Sequence, residues 1–364
     1  MNEDCLKLTA YLGERDRADG GYLADAFTEI YARHELQASV LLRGVEGFGA
    51  KHQLRTDRLL TLSEDLPLVS IAVDSRPRIE AVVREIGELR FSGLVTLERA
   101  RMLSGEVDAV ELAPDLNEAT KLTIYLGRQE RTRTSGRLAQ REVVELLHAR
   151  RIAGATVLLG VDGTAHGVRE RAGFFSRNAD VPVMVIAVGD GQLIADVLPE
   201  LGAMLARPLM TLERVRICKR DGERLAEPRA LPGIDPSGLG VWQKLMVYAG
   251  EQSRHEGHPL SSRLVRRLRD AGAPGATSLR GVWGYHGDHR PHGDSFWQLR
   301  RRVPVVTVVI DTPERMAQWY AIVDELTDEA GLVTSELVPA YRATSAGVQS
   351  GGLRLADLGE LSGP

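Results

Sequence analysis

The stretch KLTAYLG at residues 7–13 decides the fold, because it recurs as KLTIYLG at residues 121–127 and as KLMVYAG at residues 244–250. Each copy is followed, at a nearly constant distance, by a glycine, a proline before an apolar run, and a threonine two residues before a glutamate. These landmarks are Gly44, Gly160 and Gly281; Pro67, Pro182 and Pro304; and Thr96, Thr211 and Thr334. A period of this length holds a small domain rather than one solenoid unit. We therefore predict three tandem domains.

The stretches between the copies set the domain boundaries. Residues 104–118 are acidic and have no clear period, while residues 218–241 are rich in proline and glycine, as linkers are. The last residues, rich in glycine and serine, are predicted to form a flexible C-terminal tail. The predicted division is repeat 1 at 5–103, a linker at 104–118, repeat 2 at 119–217, a linker at 218–241, repeat 3 at 242–340 and the tail at 341–364.

Composition excludes several classes of protein. The chain has 364 residues and a net charge of −4, which gives no general case for a nucleic-acid partner. Its apolar runs are too short for membrane insertion, and residues 1–8 do not resemble a signal peptide. Cys5 and Cys218 have no partners at disulfide or metal-binding spacing. We expect a cytoplasmic protein.

Hydrophobic periodicity gives the fold of one repeat. In repeat 1 it predicts strands at 6–12, 39–45, 67–73 and 94–102, helices at 22–35 and 79–86, and a long polar loop at 46–65. This βαββαβ order is the ferredoxin-like arrangement, so the predicted fold class is α+β.

The third strand of each repeat predicts how the repeats assemble. The runs LVSIAV, VMVIAV and VVTVVI are nearly apolar on both faces, whereas a strand with one wet face alternates. Two helices cover only one side of a four-stranded sheet, so we expect a neighbouring repeat to cover the other. The prediction is an intramolecular pseudo-trimer.

Three stretches of repeat 1 resemble a known family: YLGERDR at 11–17, LLRGVEGFGAKHQLRT at 41–56 and LSEDLPLVSIAVD at 62–74. They are similar to the domain-of-unknown-function 190 family (DUF190), which resembles the PII nitrogen-signalling proteins. PII relatives are trimers of ferredoxin-like subunits that bind adenine nucleotides between subunits. A mobile loop between their strands 2 and 3 reports occupancy to a partner.

The resemblance implies a non-catalytic regulatory protein with no required cofactor. The implied effector is ATP, ADP or AMP, bound in clefts between repeats, and the loop at 46–65 would signal occupancy. The implied partner is a protein, for which family context suggests a membrane transporter or channel. A pseudo-trimeric interaction scaffold with degenerate clefts is the alternative.

The glycine-rich stretch of repeat 1 is the candidate ligand site. Its glycines allow close backbone approach to a phosphate, while Arg43, Lys51 and His52 can neutralise charge and Phe48 can contact a base. Alternatively, this is a hairpin bend whose glycines serve backbone angles alone. The full candidate set is Glu14, Asp16, Arg43, Gly44, Glu46, Gly47, Phe48, Gly49, Lys51, His52, Gly160, Gly163, Arg280, Gly281 and Gly284. Repeat 2 has Leu159 in place of the arginine, so we expect one or two working clefts.

A lysine near the start of strand 1 and a glutamate in strand 4 recur in every repeat: Lys7, Lys121 and Lys244 with Glu98, Glu213 and Glu336. Strand 1 lies antiparallel to strand 4 in the expected fold, so the pattern predicts cross-strand ion pairs. A phosphate contact from the lysines is the alternative. The tyrosines on the same face, Tyr11, Tyr125 and Tyr248, are predicted to be packing residues.

The sequence YHGDHRPHGD at 285–294 suggests a second alternative. His286, His289 and His292 could bind zinc, nickel or copper, although glycine and proline favour a solvated loop. No P-loop, nucleophile elbow or HExxH motif is present, so an enzyme is not expected.

Overall fold

A computed structural model describes residues 2–18, 20–49, 52–57, 65–110, 119–165, 168–171, 181–286, 291–293, 303–329 and 331–357. Over these residues the chain is a mixed α/β protein with six helices and many strands. None of the described helices has the length and apolar composition needed to cross a bilayer.

All three repeats carry two helices and four main strands. The elements of repeat 1 are β1 (Asn2–Gly13), β2 (Arg17–Ala18), β3 (Gly21–Tyr22), α1 (Leu23–Arg33), β4 (Ala38–Phe48), β5 (Arg55–Thr56), β6 (Pro67–Ser75), α2 (Arg76–Glu88) and β7 (Gly93–Ser104). Repeat 2 and the segment after it contain β8 (Thr120–Gly127), α3 (Ala139–Ala149), β9 (Gly154–Ala165), β10 (Val168–Arg171), β11 (Pro182–Gly189), α4 (Gly191–Met204), β12 (Leu209–Arg214), β13 (Arg216–Arg220) and β14 (Glu223–Arg224).

Repeat 3 has the same main elements and a C-terminal hairpin. Its elements are β15 (Trp242–Gly250), β16 (Arg254–His255), β17 (His258–Pro259), α5 (Leu260–Asp270), β18 (Ala276–Arg280), β19 (Trp283–His286), β20 (His292–Gly293), β21 (Pro304–Asp311), α6 (Pro313–Leu326), β22 (Leu332–Val338), β23 (Ala340–Ser345) and β24 (Val348–Gly352).

The main strands pair in the same order in all three repeats. The third strand lies between the second and the first, and the first pairs with the fourth, always antiparallel. The orders are β4–β6–β1–β7, β9–β11–β8–β12 and β18–β21–β15–β22. Proline opens the third strand of each repeat, a position that loses no interior ladder hydrogen bond.

Strands also pair between repeats, so the sheets of the three repeats join into one 20-stranded sheet, separate from the two-stranded β2–β3 and β16–β17 sheets. β4 of repeat 1 pairs with β9 of repeat 2 and β18 of repeat 3, and β9 also pairs with β19. β7 pairs with β12 and β23. This pairing corrects one prediction: the second strand continues through Phe48 instead of ending at Val45, because repeat 3 offers it a partner strand.

Each sheet is covered on both faces, as the apolar third strands predicted. On β6, Leu68 and Ala72 pack with α1 and α2 in the core of repeat 1. Val69, Ile71 and Val73, which alternate with them, belong to a central core shared by all three repeats. Met184 and Ile186 of repeat 2 and Val306 and Val308 of repeat 3 contribute to the same central core.

The prediction of a flexible tail over 341–364 is wrong for residues 341–352. β23 pairs with β7 of repeat 1 and with β24, and the Tyr341 ring stacks on Trp242 with centroids 4.6 Å apart. Without β23, the backbone hydrogen-bonding groups along one edge of β7 would be unpaired at residues 93–97, and β23 pairs with them. The start of the 218–241 linker is also ordered, because β13 pairs with β22.

Candidate functional site

A ring of six buried charges lies where the three sheets meet. Within each repeat the lysine of strand 1 faces the glutamate of strand 4, at 3.0 Å for Lys7–Glu98, 3.0 Å for Lys121–Glu213 and 2.8 Å for Lys244–Glu336. Each lysine also contacts the glutamate of another repeat, in the pairs Lys7–Glu213, Lys121–Glu336 and Lys244–Glu98. The predicted cross-strand pairs are confirmed, and the second set closes them into a ring.

Mutual neutralisation offsets the burial of most of these charges. Burial opposes ionisation of Glu98, but the ammonium groups of Lys244 and Lys7 outweigh it and hold the pKa of Glu98 well below its usual value. Burial likewise opposes the charge on Lys7, yet Glu213 and Glu98 raise its pKa well above normal. At Lys121 burial outweighs the two neighbouring glutamates, and the pKa is lowered. Since desolvated charges are costly without partners, the six groups depend on one another.

The recurring glycines lie where one repeat crosses another. A Cβ on Gly163 would meet the Ser39 carbonyl oxygen at 2.2 Å, and one on Gly284 would meet the Ala155 oxygen at the same distance. Their φ angles of +154° and +152° also disfavour L side chains. In repeat 1, a Cβ on Gly47 would lie 2.6 Å from the Ala276 oxygen. Close approach of neighbouring strands therefore accounts for these glycines structurally.

The prolines recur for a related reason. Hypothetical Cβ atoms on Gly44, Gly160 and Gly281 would lie 2.7 to 3.1 Å from the Cγ atoms of Pro67, Pro182 and Pro304 respectively. Each glycine and proline thus form a tight contact between the second and third strands of one repeat. The contact needs a residue without a side chain at the glycine position.

The seam between repeats 1 and 3 contains a cavity of about 370 Å³. Repeat 1 contributes the end of β1, the end of β4, the residues around β5 and the turn before β7. Repeat 3 contributes residues 274–277 and the C-terminal hairpin. This size is within the range of small-molecule sites.

The seam cavity combines apolar walls with a few polar groups. Tyr11, Phe48 and Tyr341 give it aromatic surface, while Gln53 and Arg55 give it amide and cationic groups. Hydroxyl groups come from Ser92, Thr277, Thr344, Ser345 and Ser350. Such a lining suits a ligand with a flat apolar part and a polar or anionic part.

Three of the predicted site residues line this cavity: Asp16, Phe48 and Gly49. The Asp16 carboxylate accepts a hydrogen bond of 2.6 Å from the Gly13 amide and so fixes the turn after β1. Phe48 is buried and stacks on His52 with ring centroids 5.8 Å apart. Lys51 lies outside the described residues.

The predicted arginines form ion pairs beside the strand crossing. Arg43 donates to Glu14 at 2.9 Å, and Arg280 contacts Glu251 at 3.0 Å, so repeats 1 and 3 contain the same pair. Arg280 also reaches Asp57 of repeat 1 at 3.1 Å. In repeat 2 both partners change together, to Arg128 and Leu159.

Glu46 has a structural contact instead of a place in the cavity lining. Its carboxylate accepts a 2.5 Å hydrogen bond from the Ser262 hydroxyl on α5 of repeat 3. Gly44, Gly47, Gly160, Gly163, Gly281 and Gly284 lie at the strand crossings. Their predicted role in ligand binding stays a prediction.

Sequence reasoning missed Gln53, Arg55, the turn at Ser92–Gly93 and the hairpin. One signal was available: Gly93 and Gly331 occupy the same place before strand 4, with φ angles of +158° and +112°. Each would place a Cβ 3.0 Å from a strand 1 carbonyl, that of Tyr11 or Tyr248. This recurring glycine marked the turn that lines the cavity.

Among the residues that the structure describes, the histidines of 285–294 do not come together as a metal site. His286 is buried, with Nδ1 3.7 Å from an Asp221 oxygen, and His292 lies on the neighbouring β20. His289 falls outside the described residues. Of the described residues, one set of three carboxylates lies close enough together to share a metal ion: Glu98, Glu213 and Glu336. Lysines already contact all three of these carboxylates.

A family model described as uncharacterized ACR, DUF190, matches residues 5–102, 119–217 and 242–340. The chain belongs to this family. The predicted family resemblance and the threefold repeat are therefore confirmed, and a PII-like relationship is consistent with membership.

A similar protein supports the assignment. The UPF0166 protein of Aquifex aeolicus (strain VF5) is 30% identical over 93 residues, which cover 25% of this chain and 86% of that protein. That relative therefore has about the length of one DUF190 repeat.

Among solved structures, an aspartate kinase from Synechocystis aligns with 95% of this DUF190 chain and 46% of its own, at 12% identity and a TM-score of 0.21. The chain thus spans less than half of that kinase. This similarity carries no argument about fold or function.

Proposed function

We propose that this DUF190 chain is a non-catalytic, PII-like regulatory protein that binds an adenine nucleotide in the cavity between repeats 1 and 3. The observation that carries the proposal is the position of this cavity. It lies at a seam between repeats, beside the glycine-rich end of β4, where the family resemblance places an effector.

The proposal includes a ferredoxin-like fold for each repeat and a pseudo-trimeric arrangement of the three. The shared antiparallel strand order and the ring of Lys–Glu pairs support it. The relative of about one repeat in length supports it as well, because three copies of such a protein would supply the same set of strands.

The cavity chemistry favours a nucleotide. Tyr11, Tyr341 and Phe48 can pack against a base, and the hydroxyl groups of the hairpin can bind polar atoms of a ribose. Arg55 supplies a cation, already paired with Asp65 at 2.8 Å, which a phosphate can attract away. The backbone amide of Gly49, which lines the cavity, is an additional donor that needs no side chain.

Signalling is proposed to pass through residues 46–65 to a protein partner, in the cytoplasm. Gly49, Gln53 and Arg55 belong to this segment and line the cavity, so a bound ligand would contact it directly. A ligand shifts a loop equilibrium only by its different affinity for the two loop states.

Calorimetric titration of the full chain with ATP, ADP and AMP tests the proposal. Gly49→Trp should abolish binding, because Gly49 lines the cavity and the open space around its Cβ position leaves room for an indole that competes with the ligand. Gly21→Trp is the matched control, at an exposed glycine outside the cavity, and should bind as the wild type does. Failure of all three nucleotides to bind the wild type, or equal binding by Gly49→Trp, would overturn the proposal.

A further inference from the structure

We propose that a second cavity, lined by arginines, binds a small anion that carries two or more phosphate groups. The cavity has a volume of about 510 Å³ and lies at the opposite end of β1 from the seam cavity. Asp4 to Leu6 line this second cavity, whereas Tyr11 to Gly13 line the first. Lys7 and the ion-pair ring lie between these two sets of residues.

The charge of the second cavity is the main evidence. Its lining contains the six arginines Arg76, Arg99, Arg101, Arg214, Arg216 and Arg229. The same lining contains two carboxylates, Asp4 and Glu336, and Glu336 is held by two lysines of the ring. The cavity is therefore strongly basic although the whole chain has a net charge of −4. Guanidinium groups bind phosphate oxygens in bidentate pairs, which favours phosphates over monovalent anions.

The surroundings of Arg99 show that two of these positive charges, those of Arg76 and Arg99, repel each other. Partial burial lowers the pKa of Arg99, Asp357 opposes the shift, and Arg76 adds to it. The Arg99 guanidinium also donates to the Ala356 carbonyl at 2.8 Å, which holds it at the cavity. An anion between these groups would relieve their repulsion.

The arginines are unevenly divided among the repeats. Repeat 1 places Arg99 and Arg101 just after Glu98, and repeat 2 places Arg214 and Arg216 just after Glu213. Repeat 3 has Leu337 and Pro339 at the matching positions, and the segment before it supplies Arg229 instead. The cavity is thus more cationic on the side of repeats 1 and 2 than on the side of repeat 3. This asymmetry suits a single ligand held off the centre, with its phosphates on the side of repeats 1 and 2.

Titration of the full chain with inorganic tripolyphosphate tests the inference without a nucleotide. Binding is expected at low ionic strength and should weaken as salt is raised, because salt screens charge pairs. The double variant Arg99→Gln with Arg216→Gln should weaken binding at least about tenfold, since charge-assisted hydrogen bonds contribute this much. Arg137→Gln with Arg150→Gln removes the same charge from exposed ion pairs with Glu145 and Glu200 and should leave affinity unchanged.

Two further measurements separate this site from the seam cavity and from misfolding. Gly49→Trp should keep tripolyphosphate affinity, so failure of the nucleotide proposal leaves this inference intact. In the wild type, hydrogen exchange at residues 99–101 and 214–216 should slow on addition of tripolyphosphate. The inference is overturned by absence of binding to the wild type at low salt, by equal loss in both double variants, or by protection confined to the seam cavity.

Discussion

Lys121 of repeat 2 and Glu336 of repeat 3 form a buried ion pair although they are 215 residues apart in the chain. Lys121 also binds Glu213 of its own repeat, and Glu336 also binds Lys244 of its own. Every lysine of the ring therefore joins two repeats. Each lysine thus pairs across strands inside its own repeat and, through its second contact, links that repeat to another.

Removing one lysine should destabilise the whole protein. Lys121→Met leaves Glu213 and Glu336 buried with one fewer cation, and breaking a buried pair in this way costs about 3–5 kcal/mol. Urea unfolding measures the loss in free energy. Arg137→Met, which removes an exposed pair with Glu145, is the control and should cost about 0–1 kcal/mol. Similar losses in both variants would show that the ring does not hold the repeats together.

Acid should weaken the ring. The pKa values of Glu98 and Glu336 are lowered in the folded state, where burial opposes ionisation but the lysines outweigh it. Their contribution is therefore complete above the unfolded glutamate pKa of about 4.3 and is lost as pH falls through the folded value. The free energy of unfolding should decrease below about pH 4.3. Glu98→Gln should show a shallower decrease, and an unchanged pH dependence in that variant would contradict the assignment.

A methyl group at a strand crossing should be costly. Gly163→Ala combines a φ of +154° with a Cβ 2.2 Å from the Ser39 carbonyl, so β9 must move away from β4. Gly136→Ala is the control, because Gly136 also has a positive φ, of +70°, but open space around it. We expect Gly163→Ala to lower thermal stability by more than the control, whose cost is about 1 kcal/mol. Equal costs would mean that backbone angle, and not strand contact, requires the glycine.

The C-terminal hairpin should open when its aromatic anchor is removed. Trp242→Ala deletes the ring that stacks on Tyr341, so β23 keeps its backbone pairing with β7 but loses that packing. Limited proteolysis should cut the variant faster near residues 345–348, the turn of the hairpin. Tyr22→Ala, at an exposed aromatic residue elsewhere, should show the wild-type cleavage rate.

The basic residues of the glycine-rich stretch give a separate test of the proposed function. Arg43→Ala with Lys51→Ala is expected to weaken nucleotide binding without unfolding the protein, since Arg43 is exposed and pairs only at the surface with Glu14. Calorimetry measures the affinity, and circular dichroism checks the fold. Unchanged affinity would count against Arg43 and Lys51 as phosphate contacts.

The repeat, the order of the main elements and the two-sided burial of the third strands could be predicted because each has a local signal. Val69 and Leu68 point to opposite faces of β6, and both faces were apolar in the sequence. The lysine–glutamate pairs within a repeat follow from antiparallel register. The second contact of each lysine has no such signal, because it depends on how whole sheets meet.

The site was harder to predict for the same reason. The glycines were interpreted as a ligand cradle or a bend, whereas Gly163 and Gly284 accommodate strands from neighbouring repeats. Nothing near Tyr341 or Thr344 in the sequence indicates that these residues pair with β7 of repeat 1. A cavity between modules depends on contacts that no single module encodes.

Covalent linkage changes how this architecture responds to dilution. Three separate subunits held by such a ring would fall apart at low concentration, since their association depends on protomer concentration. Here Lys7, Lys121 and Lys244 belong to one polypeptide, so each interface forms at a fixed effective concentration set by its connecting segment. The crevices between modules therefore persist at concentrations at which separate subunits would dissociate, and each is free to diverge from the others.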